Sequence, residues 1–214
     1  MVQMLAVTEA IKSLSVVEEQ FGLRQNLDET FFWESVQDLP ELRDIERAEL
    51  DRLKSRFMQH FHQGQITEGS ALRLLVSPLL DLAGFYEPPF RVETEPSVEI
   101  TAQDGEKTYR GRIDVLVVAQ QLWIVLVEEK ATRISMETAL PQALSYMAAH
   151  PNSEKPVFGL VTNGHGFAFL KLQQTPLGNE YGFSDRFALM SRQNQLYTVL
   201  SILKKLNAYC QTNY

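Results

Sequence analysis

The 214-residue sequence contains a single cysteine, Cys210, and four histidines. One cysteine excludes a disulfide within the chain and a cysteine-based zinc or iron–sulfur site built from one chain. Apolar residues nowhere run for the roughly 18 positions that a membrane-spanning helix needs, so no membrane partner is expected. The N-terminal residues carry acids within the apolar pattern and lack a small-residue cleavage site, which is not typical of a signal peptide. A cytoplasmic location is therefore predicted.

Positive charge is also scarce, because 20 lysines and arginines stand against 27 aspartates and glutamates, a formal net charge of -7. An acidic protein attracts nucleic acid poorly unless its bases are concentrated in one place. The composition is otherwise globular, with 44% hydrophobic residues and enough length for one sizeable core. Binding to DNA would therefore need a local basic patch, a homodimer or a partner protein.

Hydrophobic periodicity divides the chain into an N-terminal helical segment, residues 1–65, and a mixed domain, residues 66–214. Pro40 fits the first turn of the longest helix in the first segment. The apolar side chains predicted to form one stripe on that helix are Leu42, Ile45, Leu53, Phe57 and Phe61. Such a stripe is typical of a helix packed on a core, and a dimerisation arm is the alternative.

In the second part, a helix is predicted from Thr67 to Leu82, with a kink at Pro78 and Gly84 as its stop. Alternating apolar residues then predict three strands, followed by a helix over SMETALPQALSYMAAH and a hairpin that turns at NGHG. A long amphipathic helix is predicted from Asp185 onward. The order α-α-β-β-β-α-β-β-α predicts an α/β fold (α+β mixed), with a central mixed sheet flanked by helices.

The stretch GRIDVLVVAQQLWIVLVEEK contains two apolar runs with charged residues at one end of the expected hairpin. A three-residue turn would pair Val118 with Leu122. Asp114 and Glu128 would then share a face, one diagonal step apart, at roughly 5–8 Å. Lys130 would follow on the same face, since side chains alternate along a strand.

Two carboxylates this close repel each other, and a divalent cation relieves the repulsion. Mg²⁺ takes hard oxygen ligands, commonly one or two carboxylates together with phosphate oxygens. A neighbouring lysine can orient a water and stabilise charge on phosphate. The set Asp114, Glu128 and Lys130 therefore fits metal-dependent phosphodiester hydrolysis. Simple salt bridges are the structural alternative, because the spacing is short and common.

Five motifs in the same order resemble the PD-(D/E)XK nuclease superfamily, in particular the N-terminal nuclease domain of type I restriction enzyme R subunits and its stand-alone relatives. These motifs, within residues 66–172, are TEGSALRLLVSPLLDLAGF, GRID, IVLVEEK, PQALSY and VTNGHGF. The resemblance implies a restriction-endonuclease-like fold and a Mg²⁺- or Mn²⁺-dependent deoxyribonuclease in a restriction or repair system, with endonuclease favoured over exonuclease. The sequence departs from the R subunits because nothing in it resembles the G-x-x-x-x-G-K-[ST] loop of a helicase motor.

By this resemblance, Asp114 and Glu128 would be metal ligands, completed by the main-chain carbonyl of Glu129. Lys130 would serve the attacking water. Glu68 would project toward the metal from the first helix of the domain. The alternative for Glu68 is a first-turn acid that the helix dipole favours.

The resemblance also implies roles for residues around this set. Gln142 and Tyr146 lie four apart, hence on one helix face, and would line the site; packing of that helix against the sheet is the alternative. Arg112 and Arg133 would touch phosphates of the DNA or balance the nearby acids. The bases expected to form a patch around the site are Lys107, Arg110, Arg112, Lys130, Arg133 and Lys171. His165 is assigned to its turn and not to catalysis.

Three functions from different classes stay open at this point. The first is a metal-dependent DNA nuclease, the second a catalytically silent nucleic-acid-binding or regulatory module of the same fold, and the third a structural oligomer. The intact D…E-x-K set together with Q-x-x-x-Y favours the first over the second. Carboxylate-dependent metal binding would separate both from the third.

Overall fold

The structure is a computed structural model that describes residues 3–64, 68–94, 97–101, 107–112, 115–118, 122–126, 136–148 and 155–212. Its strands are β1 (Gln3–Ala6), β2 (Leu23–Gln25), β3 (Arg91–Thr94), β4 (Ser97–Thr101), β5 (Lys107–Arg112), β6 (Val115–Val118), β7 (Leu122–Leu126), β8 (Val157–Thr162), β9 (Gly166–Thr175) and β10 (Gly178–Ala188). Its α-helices are α1 (Val7–Ala10), α2 (Leu14–Phe21), α3 (Asp44–His62), α4 (Glu68–Ala71), α5 (Ser77–Leu82), α6 (Met136–Ala148) and α7 (Leu196–Thr212).

The described strands form two sheets. The larger sheet has seven strands in the order β2-β10-β9-β8-β7-β6-β3, and the smaller has three in the order β1-β5-β4. In the larger sheet, β2 is parallel to β10 and β7 is parallel to β8, whereas the other neighbours are antiparallel. The fold is therefore mixed α/β with a mixed central sheet, as the element order predicts.

Helices cover both faces of the larger sheet at β8, where all six residues are buried. Phe158 and Leu160 belong to a core cluster with residues of α3, α5 and α7. Val157 and Val161, which point to the opposite face, belong to a second cluster with residues of α1, α2 and α6. Burial on both faces explains why this strand is a continuous apolar run.

The N-terminal part is not purely helical, which corrects the prediction for residues 1–65. Its strand β1 pairs in parallel with β5, and its strand β2 pairs in parallel with β10. Both strands are short and lie among residues with helical periodicity, so alternation could not reveal them. The boundary between residues 65 and 66 stays a prediction.

Helix α3 begins at Asp44 and not in the turn that contains Pro40. The N–H of Arg43, the residue before the helix, donates to the Glu46 carboxylate at 2.7 Å, which fixes the first turn there. Ile45 is 71% exposed and so does not belong to the buried stripe predicted for this helix, whereas Leu50 is fully buried. The other predicted members of the stripe are buried or partly buried against one core cluster.

The predicted helix that ends before Gly84 is confirmed, with a π-helical turn at Leu72–Val76 between α4 and α5. Gly84 has φ 84°, the left-handed conformation of a helix stop. The proposed N-cap, Thr67, lies outside the described residues. The predicted helix over SMETALPQALSYMAAH is α6, and the predicted hairpin at NGHG is β8–β9.

The predicted start of the C-terminal helix is wrong. Residues Asp185 to Ala188 belong to the end of strand β10, and α7 begins only at Leu196. β10 is an antiparallel partner of β9, and this long-range pairing outweighs the local apolar spacing on which the prediction rests. None of the described helices combines the length and apolar composition that crossing a membrane requires.

Candidate functional site

The hairpin predicted to carry the charged residues is β6–β7, between β3 and β8 in the larger sheet. It follows α5 and precedes α6 along the chain. The observed pairs are Val115 with Ile124, Leu116 with Trp123 and Val117 with Leu122. The predicted register, in which Leu116 would lie opposite Ile124, is therefore wrong by one residue.

The residues expected to bind metal and activate water lie next to this hairpin in the sequence, but outside the described residues. They are Asp114, Glu128, Glu129 and Lys130, and Arg133 also lies outside. Asp114 immediately precedes β6, and Glu128 comes two positions after the end of β7. Because the two strands are antiparallel, the first residue of β6 and the last residue of β7 lie at the same end of the hairpin.

The observed register places a condition on any shared ion at this end. Paired residues of an antiparallel ladder point to the same face, so Leu116 shares a face with Trp123 and not with Ile124. Under unbroken alternation, positions 114 and 128 would belong to opposite faces. Their carboxylates can converge only if the backbone leaves regular alternation before β6 or after β7.

The chain changes sheets at the first of these two places. Strand β5, which ends at Arg112, pairs with β1 and β4 in the smaller sheet. Strand β6, which begins at Val115, pairs with β3 and β7 in the larger sheet. Only two positions separate strands of different sheets, so alternation along β5 need not continue into β6.

Helix α4, which begins with Glu68, lies at the same end of the larger sheet. Leu126, the last residue of β7, is paired with Thr162, the last residue of the parallel strand β8. The turn that follows Thr162 contacts α4, because a Cβ added at Gly164 would lie 3.0 Å from the Cβ of Ala71. Ala71, three residues after Glu68, therefore lies beside the turn that follows β8.

The turn between β8 and β9 is fixed by its own hydrogen bonds. Asn163 Oδ1 accepts the N–H groups of His165 and Gly166, both at 3.0 Å. The His165 ring makes edge contacts with Phe57 and Phe61 of α3, at centroid distances of 5.7 and 4.9 Å. Asn163 therefore shapes this turn and His165 anchors it, which agrees with the assignment of His165 to the turn.

Gln142 and Tyr146 lie one turn apart on α6, as predicted, but in different surroundings. Gln142 is half-buried, whereas Tyr146 is only 2% exposed and belongs to the core cluster under α6. A Cβ added at Gly159, in the middle of β8, would lie 2.8 Å from Met147 Sδ. Tyr146 and Met147 therefore take part in the packing of α6 against the sheet.

Lys171 does not belong to the basic patch predicted around the site, which is a correction. Its Nζ donates to both carboxylate oxygens of Glu34, at 2.8 and 2.9 Å, and both side chains are buried. Nothing in the sequence pattern reveals this pair, because its members are 137 positions apart. Arg112 is the last residue of β5, a strand that also includes Lys107 and Arg110.

Among the residues that the structure describes, no three His, Cys, Asp or Glu side chains are grouped so as to hold a metal ion. The candidate site therefore has two parts. One is a frame of helices and strands that the structure describes, and the other is the set of acids that precede or follow these elements in the chain. The frame is the β6–β7 hairpin, the start of α4 and the β8–β9 turn, all at one end of the larger sheet. Comparison of the sequence with protein-family models and with curated proteins found no match.

Proposed function

We propose that this protein hydrolyses phosphodiester bonds in DNA with Mg²⁺ or Mn²⁺, as a restriction-endonuclease-like nuclease of a defence or repair system. The observation that carries the proposal is the D-x13-E-x-K spacing across β6–β7. With this spacing Asp114 directly precedes β6 in the chain and the Glu128-x-Lys130 group follows β7, so these residues would meet at one end of the hairpin. The helices before and after the hairpin and the mixed sheet agree with the resemblance to PD-(D/E)XK nucleases.

The donor set suits a hard divalent cation. Asp114 and Glu128 offer carboxylate oxygens, and Glu129 offers a main-chain carbonyl. Oxygen ligands of this kind, completed by water and phosphate oxygens, are those that Mg²⁺ prefers. Glu68 would add an auxiliary carboxylate, since α4 starts near this end of the sheet. The cation would polarise the scissile phosphate and lower the pKa of bound water.

The remaining residues act by position and charge. The Lys130 ammonium would orient the attacking water and stabilise negative charge that develops on the phosphate. Gln142, half-buried on α6, has an amide that could hold this lysine or the water. Arg112 and Arg133 would contact phosphates of the DNA. Because the chain carries a net charge of -7, a homodimer or a partner protein would strengthen DNA binding.

One observation favours the alternative of a catalytically silent module. The register of β6 and β7 permits a shared ion only with a break in alternation. A Mn²⁺ titration monitored by NMR tests this point, because the paramagnetic ion broadens nearby amide signals. Broadening of Val115 and Leu126 that both Asp114→Ala and Glu128→Ala abolish would indicate that the two acids share one ion. Absence of broadening, or broadening that survives either substitution, would contradict the proposed site.

The direct test is cleavage of supercoiled plasmid and linear duplex DNA in the presence of Mg²⁺ or Mn²⁺. Glu128→Ala and Lys130→Ala are each expected to reduce the rate by at least about 100-fold. The controls are Glu41→Ala and Lys12→Ala, which remove the same charges from exposed positions elsewhere. Equal cleavage by all five proteins would mean a contaminating nuclease. Metal binding that Glu128→Ala abolishes, without any cleavage by the wild type, would support the silent module.

A further inference from the structure

A groove of about 640 Å³ lies between the segment 25–37 and residues 182–185 of β10. Its volume is in the range of ligand-binding clefts. It is at the opposite side of the larger sheet from the candidate nuclease site, because β9 and β8 separate β10 from β7. Three strand spacings amount to about 14 Å. This groove is called the acidic groove. A ligand bound in it would not occupy the candidate nuclease site.

Among the described residues, the charged side chains that line the acidic groove are negative. Asp28, Glu29 and Asp185 are exposed lining residues, and the described residues that line the groove include no lysine, arginine or histidine. Hydrogen bonds from Thr30 hold the pKa of Asp28 below its usual value. The groove therefore attracts cations and repels the phosphates of nucleic acid.

The same groove also exposes apolar side chains. Leu27 is 81% exposed and Val36 is 55% exposed, and both line the groove. Phe31, half-buried, lines it between them. Lysine and arginine combine a cationic head with an apolar stem, so a chain of such residues matches acids next to apolar walls. A small inorganic cation would leave these apolar walls uncovered.

The segment that forms the groove is anchored at several points. Asn26 donates from its backbone N–H to Tyr181 O at 2.8 Å and from Nδ2 to Glu180 at 3.1 Å. Lys171 Nζ donates to Phe31 O at 2.8 Å. The Phe31 ring rests on Gly182, where an added Cβ would lie 2.7 Å from Cδ1. A groove held in this way loses little entropy when it binds a ligand.

The edge of β10 limits the way in which a ligand can be held. β2 pairs with β10 only as far as Tyr181, and among the described strands none continues on that side. The register of β10 with β9 shifts between Phe183 and Arg186, which is a bulge. Bulges hinder the addition of a further strand. Recognition would therefore depend on side chains in the groove more than on a β-ladder.

We propose that the acidic groove binds a short lysine- or arginine-rich segment of a partner protein that also carries apolar residues. The proposal does not depend on the nuclease function, because none of its residues belongs to the nuclease site. Binding of such a segment would also provide this acidic chain, which has a net charge of -7, with a basic partner protein.

The test measures fluorescence anisotropy of a labelled peptide, Lys-Leu-Lys-Ala-Lys-Leu-Lys, titrated with the full chain at low and high salt. The groove variant Asp28→Asn/Glu29→Gln/Asp185→Asn is expected to bind at least about 10-fold more weakly than the wild type. Asparagine at position 28 can still accept the hydrogen bonds from Thr30. The control Glu19→Gln/Asp81→Asn/Glu87→Gln removes the same charge from exposed positions outside the groove and should bind like the wild type.

A second variant, Leu27→Ser/Val36→Ser, keeps the charge and changes only exposed side chains. It should weaken peptide binding about threefold or more, yet leave displacement of the peptide by salt unchanged. Equal binding by the groove and control variants would overturn the proposal, as it would show attraction to the whole acidic surface. Absence of wild-type binding, or full affinity for a polyamine together with no effect of the serine variant, would overturn it as well.

Discussion

Lys171 and Glu34 form a buried ion pair across 137 positions of sequence, with Nζ 2.8 and 2.9 Å from the two carboxylate oxygens. Their side chains are 4% and 2% exposed. Lys171 lies on β9, and Glu34 lies in the short 3-10 helix Trp33–Ser35. The pair therefore ties the segment before α3 to the middle of the larger sheet.

Replacing only the lysine should destabilise the protein strongly. In Lys171→Met, Glu34 keeps a buried carboxylate without its cation, and the free energy of unfolding should fall by about 3–5 kcal/mol. In Lys171→Met/Glu34→Leu no buried charge is left, so most of the loss should be recovered. Urea denaturation of the three proteins measures this difference. A double variant no more stable than the single variant would contradict the role assigned to the pair.

Gly164 in the β8–β9 turn should tolerate no side chain. Its φ is 81°, and an added Cβ would lie 3.0 Å from Ala71 Cβ and 3.1 Å from Phe57 Cζ. Gly164→Ala combines left-handed strain with overpacking and should cost about 2–4 kcal/mol. Gly64→Ala is the matched control, because Gly64 has φ 67° and no atom of the described residues lies within 4 Å of an added Cβ. The control should cost about 1 kcal/mol in thermal or urea denaturation, and equal losses would exclude the packing contribution.

Glu46 should make stability depend on pH below about pH 5. Burial alone would raise the pKa of Glu46, but hydrogen bonds from Lys204 and from the backbone and side chain of Arg43 lower it to about 2, from 4.5. A carboxyl with a lowered pKa in the folded state stabilises fully above its unfolded pKa, and the contribution disappears as the pH falls through the folded pKa. The stability difference between wild type and Glu46→Gln should therefore shrink between about pH 5 and pH 2, by up to about 3 kcal/mol.

The measurement for Glu46 is urea denaturation of both proteins across this pH range. Glu41→Gln serves as the control, because Glu41 is exposed and its replacement should leave the pH profile unchanged. A Glu46→Gln profile parallel to that of the wild type would contradict the assignment.

If the proposed nuclease function is correct, replacing Gln142 should reduce DNA cleavage and leave stability nearly unchanged. Its side chain is half-buried, so Gln142→Ala should change the free energy of unfolding by less than about 1 kcal/mol. DNA cleavage should fall by about 10- to 100-fold. Gln174→Ala, at an exposed position on β9, should affect neither. Unchanged cleavage by Gln142→Ala, beside a rate loss in Glu128→Ala, would leave Gln142 with a packing role only.

Local chemistry predicts some elements of this fold well. The asparagine and glycines of the β8–β9 turn, and the apolar spacing of α6, are strong local signals, and both elements are present. The strand β10 was not predictable in the same way, because its residues near Asp185 also have helical apolar spacing. Pairing with β9 decides its structure, and such a partner is not visible in a short window of sequence.

The candidate site is likewise only partly predictable from local sequence. That Asp114 and Glu128 flank one hairpin follows from two apolar runs and a turn, and β6–β7 confirms the hairpin. The register does not follow, because it depends on the length of the turn, and one residue of slip changes the face of every side chain. The burial of Lys171 depends on a distant acid, Glu34. The basic patch predicted from the sequence therefore loses Lys171.

The two N-terminal strands complete sheets that are otherwise built from the rest of the chain: β1 borders β5, and β2 borders β10. A fragment beginning at residue 66 would lack β1 and β2, so one edge of β5 and one edge of β10 would be exposed. Exposed edges are templates for pairing between molecules, so such a fragment should aggregate or exchange strands between copies. Any activity measured on such a fragment would then be that of the assemblies and not of the folded protein. Biochemical experiments should therefore use all 214 residues.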